Sequence, residues 1–247
     1  MEEEFETTYH DVERGHWWSV GRRDAILRLM EAGWGTDPVL DVGCSGGRLV
    51  EALAQRGFTA RGIDVSHRAV AHAQRRGIDV VLGAADQLNV ADGSIGTVIA
   101  SDVLEHIDDD VRALREWRRV LIPGGALIVF VPAHPFLWSL HDERNHHRRR
   151  YERRTLTHAI RRAGFELTRL SGWNSTLFAP IATARTAQRL RRKHDSPPDF
   201  QMPPTWLNSS LRVLLELENR WLVRHNLPIG VSLMALALNP GTPCERV

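Results

Sequence analysis

Cysteine is scarce in this 247-residue chain: only Cys44 and Cys244 occur, far apart and in no ligand-like spacing. That excludes a disulfide framework, gives a zinc site no support, and leaves no metal expected. Long apolar runs are missing too, and none approaches the roughly 20 residues of a membrane span. The opening MEEEFETTYHD is acidic and polar and does not read as a signal peptide, so a soluble cytoplasmic protein is expected. Neither sign of charge dominates: 32 basic against 30 acidic residues give a formal net charge of +2. Almost all of the basic residues are arginine, which reflects a GC-rich coding background as readily as a polyanion partner; no nucleic-acid partner is expected. There is no internal repeat. At this length one sizeable core is available, so a single domain over residues 1–247 is expected.

What is present is an alternation of short Val/Ile/Leu-rich runs with amphipathic stretches. PVLDVGC (38–44), TARGIDVS (59–66), DVVLGAAD (79–86), GTVIASDVLEHI (96–107), ALIVFVP (126–132) and GFELTRLSGW (164–173) read as strands. The stretches 47–57 and 67–77, a helix from DDDVRALREWRRVLIPGG and one at about 155–163 fall between them. Such alternation implies a mostly parallel α/β sheet covered on both faces, with its site beyond the carboxyl ends of the strands. Residues 15–33 read as a cap helix outside the 38–174 core. Residues 175–226 read as a helical insertion or lid, broken by SPPDFQMPP, before a final strand in 229–240.

The decisive stretch is LDVGCSGGRL (40–49), a glycine turn between the first strand and its helix. Glycines let backbone amides approach a ligand, and the helix N-terminus attracts negative groups. Asp64 ends the second strand, where a carboxylate can accept both hydrogen bonds of a ribose diol. Gly43-Cys44-Ser45-Gly46-Gly47 does not match the G-x-G-x-x-G of dinucleotide folds, and Asp41 suits an ammonium better than a pyrophosphate. The stretch resembles the D-x-G-x-G-x-G motif of class I S-adenosylmethionine-dependent methyltransferases, with Ser45 where the second glycine usually stands.

That resemblance covers about residues 38–132 and implies a Rossmann-like sandwich with a seven-stranded, mostly parallel sheet in the order 3-2-1-4-5-7-6. It implies S-adenosyl-L-methionine as cofactor and S-adenosyl-L-homocysteine as product. Asp41, Gly43, Cys44, Ser45 and Gly47 would cradle the cofactor. By the same resemblance Asp64 would hold the ribose, Val65 would lie on the adenine, and Asp86 would accept from its amino group with Gln87 or Leu88 beside the ring. Ser101, in ASDVLEHI, belongs to the next block of the pocket. HWWSVGRR (16–23) resembles a segment of a bacterial subgroup, in which Arg22 would reach the cofactor carboxylate and Trp18 would close the site.

An oxygen nucleophile benefits from a general base, and His141, His134 and His106 are the candidates, with His106 read mainly as a pocket-shaping residue. DERNHHRRRY (142–151) leaves the fifth strand at the cofactor end. With Trp138, it resembles the subgroup's W-x-x-H-D…H-x-R-R-Y pattern, and Asp142, His147, Arg149, Arg150 and Tyr151 read as a substrate wall. The expected reaction is O-methylation of a small-molecule acceptor, a glycan precursor or secondary metabolite, anionic or lipid-linked. LRVLLELENRWLV (211–223) reads as core packing, a homodimer interface or a surface for such an acceptor. The alternatives are an RNA methyltransferase, for which no RNA-binding module is found, and a cofactor-binding protein of this fold without methyl transfer.

Overall fold

Strands form where aliphatic residues run together: β1 (Val39–Val42), β2 (Ala60–Asp64), β3 (Val80–Leu82), β4 (Ile95–Ser101), β5 (Leu121–Pro132), β6 (Glu166–Trp173) and β7 (Ser232–Leu238). In the computed structural model, which describes residues 14–190 and 202–241, they build one sheet in the order β3-β2-β1-β4-β5-β7-β6. β7 runs antiparallel to β5 and β6 and all other pairs are parallel. This is the order expected from the sequence.

Between the strands lie α1 (Trp17–Glu31), α2 (Arg48–Ala54), α3 (His67–Arg75), α4 (Asp110–Val120), α5 (Leu140–Arg144), α6 (Arg153–Arg162), α7 (Phe178–Leu190) and α8 (Thr205–Leu222). Successive strand side chains point to opposite faces, and β5 shows the consequence. Leu127, Val129 and Val131 join Leu114, Trp117, Leu156 and Ile160 of α4 and α6 in one core layer. Ile128 and Phe130 join Ile26, Leu29, Leu215 and Leu222 of α1 and α8 in the other. Burying a side chain such as Phe130 contributes about 2–3 kcal/mol.

Several boundaries differ from the sequence reading, and β5 begins at Leu121, within the stretch read as the end of the preceding helix. β4 stops at Ser101, not at residue 107, because Asp102 takes a left-handed φ of 56° and Leu104–His106 winds into a 3₁₀ turn. β3 is only three residues long at the sheet edge. The described residues of the 175–226 segment form α7 and α8, which have different roles. α8 is part of the core: Asn219 accepts from Trp173 Nε1 at 2.9 Å and donates to the Gly21 carbonyl at 2.8 Å. A Cβ on Gly21 would lie 2.4 Å from Leu215 Cδ1, so the glycine permits the close crossing of α1 and α8. α7 instead supplies Ile181, Ala184 and Arg185 to a cavity wall. Part of SPPDFQMPP and of RLRRKH (189–194), together with Cys244 and the acidic start of the chain, lies outside the described residues. Among the described residues no helix is long and apolar enough to cross a membrane.

Candidate active site

The turn after β1 needs three left-handed residues, Gly43 (φ 71°), Ser45 (φ 51°) and Gly47 (φ 72°). At Gly43 a Cβ would also meet Val103 Cγ2 at 2.4 Å, so glycine is required there twice over. Ser45 occupies the same backbone region at a cost of about 1–2 kcal/mol. Asp64 offsets that cost by pinning the turn: its Oδ2 accepts from Ser45 N at 2.7 Å and its Oδ1 from Ser66 N at 2.8 Å. The acid at the end of β2 therefore shapes the neighbouring turn before any ligand arrives.

Two cavities meet over this turn. The first, of about 420 Å³, is lined among others by Trp17, Trp18, Arg22, Asp41, Cys44, Ser101, His141, His147 and Arg150. The second, of about 710 Å³, is lined by Asp64, Val65, Ala85, Asp86, Val103 and Ile107 among others. Gly43, Ser45, Asp102, His106 and Asn145 line both, so the two form one trough along the carboxyl ends of β1, β2 and β4. The structure thus gathers most of the residues singled out as cofactor ligands. Two are displaced. Gln87 is exposed and lines neither cavity, its place being taken by Ala85 and Asp86. Gly47 serves instead as the N-cap of α2.

Arg22 lies at the floor of the first cavity, buried against Phe130 and Trp173, with its guanidinium carbon 4.6 and 4.1 Å from the ring centres. It donates to Ser101 Oγ, Asp102 Oδ2 and Ser232 Oγ at 3.1, 2.8 and 3.0 Å. Asp102, which the sequence reading did not single out, is thereby fixed at the junction of the two cavities. Its left-handed φ just after a strand was the local oddity, and no sequence pattern announces it in a non-glycine residue.

The HDERNHHRRRY segment divides into a wall and its supports. Tyr151 is buried and donates to Asp110 Oδ2 at 2.9 Å; burial, then the Asp110 charge, pushes its phenol far above the usual range. Arg149 binds the Ile107 and Asp108 carbonyls at 3.0 and 2.7 Å. Trp138 and His134 line neither cavity. His134, expected as a base, starts the 3₁₀ turn Pro135–Leu137 and packs beside Phe136 and Phe178. Tyr151, Arg149, Trp138 and His134 thus brace the loop, while His141, Asn145, His147 and Arg150 line the cavity.

Asp142 organises that lining. Its Oδ1 accepts from Arg150 Nε at 2.7 Å and bonds His147 Nδ1 at 2.9 Å; its Oδ2 accepts from Ser139 N at 2.9 Å. Burial alone would raise its pKa, but the His147 hydrogen bond and the Arg150 charge outweigh burial and hold the carboxylate well below its ordinary range. An ionised Asp142 accepts, so Nδ1 of His147 carries a hydrogen, and in the neutral imidazole Nε2 then keeps the lone pair. Asp142 thus pairs with both His147 and Arg150 within its own loop. Since the folded pKa lies below the unfolded value of about 3.9, this carboxylate contributes stability that is complete above pH ~4 and lost as pH falls through the folded pKa. Asp142→Asn, which keeps one oxygen for Arg150, is expected to cost about 2 kcal/mol at pH 7 and to flatten the acid limb below pH ~4. Denaturant titrations at pH 7 and at pH ~3 check both.

Glu105 is fully buried, and neither carboxylate oxygen has a hydrogen-bond partner. Burial, then the nearby Asp102, pushes its pKa well above the usual range. Its Oε1 lies 3.9 Å from His147 Nε2. Burial, then His147, brings His106 down to about 4, so that imidazole is neutral at physiological pH. Ligand-type atoms of Glu105, His106 and His147 all lie within 4.8 Å of one another. The 3.9 Å between Glu105 Oε1 and His147 Nε2 exceeds the roughly 3.3 Å between donors on one tetrahedral zinc, and the group suits proton handling better.

Comparison with known proteins agrees with this geometry. Residues 40–129 match the family model for a methyltransferase domain. A ubiquinone biosynthesis O-methyltransferase of Caulobacter sp. (strain K31) is 35% identical over 121 residues, which is 44% of this chain and 48% of that protein. The chain thus spans about half the length of the curated relatives it matches. In fold it is similar to a methyltransferase of Haloferax volcanii solved with the Trm112 activator (TM-score 0.61, 17% identity, 96% of this chain and 95% of that one). It is also similar to an S-adenosylmethionine-dependent methyltransferase of Thermotoga maritima (TM-score 0.59, 21% identity, 95% and 97%).

Proposed function

We propose that this chain is a class I S-adenosylmethionine-dependent methyltransferase that transfers a methyl group to a hydroxyl oxygen of a small acceptor. The reading is supported above all by the unbroken trough from Asp64 and Asp86, past the glycine turn, to His147. The fit to the cofactor is good along its length. Asp64 and Val65 suit a ribose and an adenine at one end, and Asp41 suits an ammonium beside the turn. Arg22 suits a carboxylate at the other end, and the missing Cβ at Gly43 lets the backbone approach.

When bound, S-adenosylmethionine supplies a methyl already activated on sulfur, leaving S-adenosylhomocysteine. The chain's own residues therefore align and exclude water. Trp17 and Trp18 from α1 and Ile181 from α7 cover the first cavity, and alignment of this kind is worth up to ~7–11 kcal/mol in well-oriented models. His147 takes the acceptor's hydroxyl proton at Nε2, and Asp142 stabilises the resulting imidazolium through Nδ1. Asp142 is a positioning residue; it lines no cavity itself. His141, whose ring centre lies 5.9 Å from that of His147, borders the same cavity.

The names of the relatives favour oxygen as the methylated atom, and the acceptor classes to assay are glycan precursors and hydroxylated secondary metabolites. The expected site of action is the cytoplasm. Incubation with tritiated cofactor and a panel of phenols, sugars and hydroxy acids is expected to give labelled methyl ethers. Label appearing only in methyl esters or on nitrogen would overturn the assignment to hydroxyl oxygen.

A further inference from the structure

The outer face of α8 has the wrong polarity for a solvated helix. Of ten exposed large hydrophobic side chains among the described residues, six lie between Met202 and Ile229. Trp206, Val213, Leu217 and Trp221 are 71, 55, 56 and 57% exposed. At 3.6 residues per turn they fall within an arc of about 80°, and Trp206 and Trp221 stand about 22 Å apart along the axis. The buried Asn208, Leu215, Glu218, Asn219 and Leu222 take the opposite arc, against α1. The helix therefore has two apolar faces, of which only one is used by the core.

Charge selects the partner. Arg220 is exposed and borders the apolar arc about 20° outside it, and exposed Arg224 follows just beyond the helix end. Of the two acids in the helix, Glu218 is buried and accepts from Ser175 N and Thr176 N at 3.0 and 2.9 Å, which leaves Glu216, half-buried, to oppose these two arginines. Tryptophans at both ends with arginines bordering the arc suit a helix lying in an interface and not across it. The opposite, buried face is the one tied to α1: Asn208 accepts from Trp17 N and donates to the Gly15 carbonyl, both at 2.9 Å.

We propose that the outer face of α8 docks the protein on an anionic lipid surface. This inference does not depend on methyl transfer, and the two fail separately.

The test is co-sedimentation of the full chain with vesicles of phosphatidylcholine alone or with about 30 mol% phosphatidylglycerol. The chain is expected to bind the anionic vesicles and to bind neutral ones roughly tenfold more weakly. The double variants Trp206→Ser/Trp221→Ser and Arg220→Gln/Arg224→Gln are each expected to lose roughly tenfold in binding. Their affinity for S-adenosylhomocysteine should be unchanged, which also reports that they fold. Equal partition of the tryptophan variant and the natural chain would overturn the proposal. So would a dimer, seen by light scattering, that the tryptophan variant converts to monomer, because the face would then belong to a second copy.

Discussion

Replacing His147 by glutamine is expected to lower methyl-transfer turnover by roughly 10²–10⁴-fold, the usual contribution of a positioned base. Binding of S-adenosylhomocysteine should change little, because His147 lines the acceptor end of the trough and not the nucleoside end. The physical argument rests on tautomer and order. Asp142 is held ionised by His147 and Arg150, so the His147 ring is fixed with Nδ1 toward the aspartate. His141→Ala, which leaves the Asp142–His147 hydrogen bond in place, should cost much less. Turnover that survives His147→Gln but collapses in His141→Ala would move the base to His141.

Replacing Asp64 by alanine is expected to weaken S-adenosylhomocysteine binding by roughly 100- to 1000-fold. A hydrogen bond to a charged group is worth about 1.5–3 kcal/mol, and a ribose diol would make two. Asp64 has a second task, since it holds Ser45 N and Ser66 N at 2.7 and 2.8 Å. Without it the left-handed Ser45 loses the contact that fixes the turn. Asp64→Asn keeps acceptor oxygen and shape but loses charge, and it should fall between the two. Calorimetry measures all three. An unchanged affinity in Asp64→Ala would remove that carboxylate from the ribose.

Fold and site were unequally legible in the sequence. The sheet order and the turn at Gly43–Gly47 rest on local signals, namely the apolar period of each run and the positive φ that glycine permits. Asp64 was legible because its position at a strand end follows from the same period. The acceptor side was not, because it depends on how one loop folds back on itself. The segment 141–151 offers several histidines, arginines and acids at similar spacing, and nothing local says that Asp142 turns to His147 and Arg150. Tyr151 and Arg149 looked like substrate contacts, yet they hold the loop to Asp110 and to the turn after β4. Glu105 was silent for a related reason: an acid in LEH reads as a surface residue until the packing buries it completely. The outer face of α8 was the reverse case. Its apolar residues were plain, but only the structure separates the arc that packs on α1 from the arc left exposed.

The most direct test is calorimetric titration of the purified chain with S-adenosylhomocysteine and, separately, with a nicotinamide dinucleotide. Saturable one-site binding of S-adenosylhomocysteine, with no heat from the dinucleotide, is the predicted result. Binding of the dinucleotide alone would contradict the account at its root.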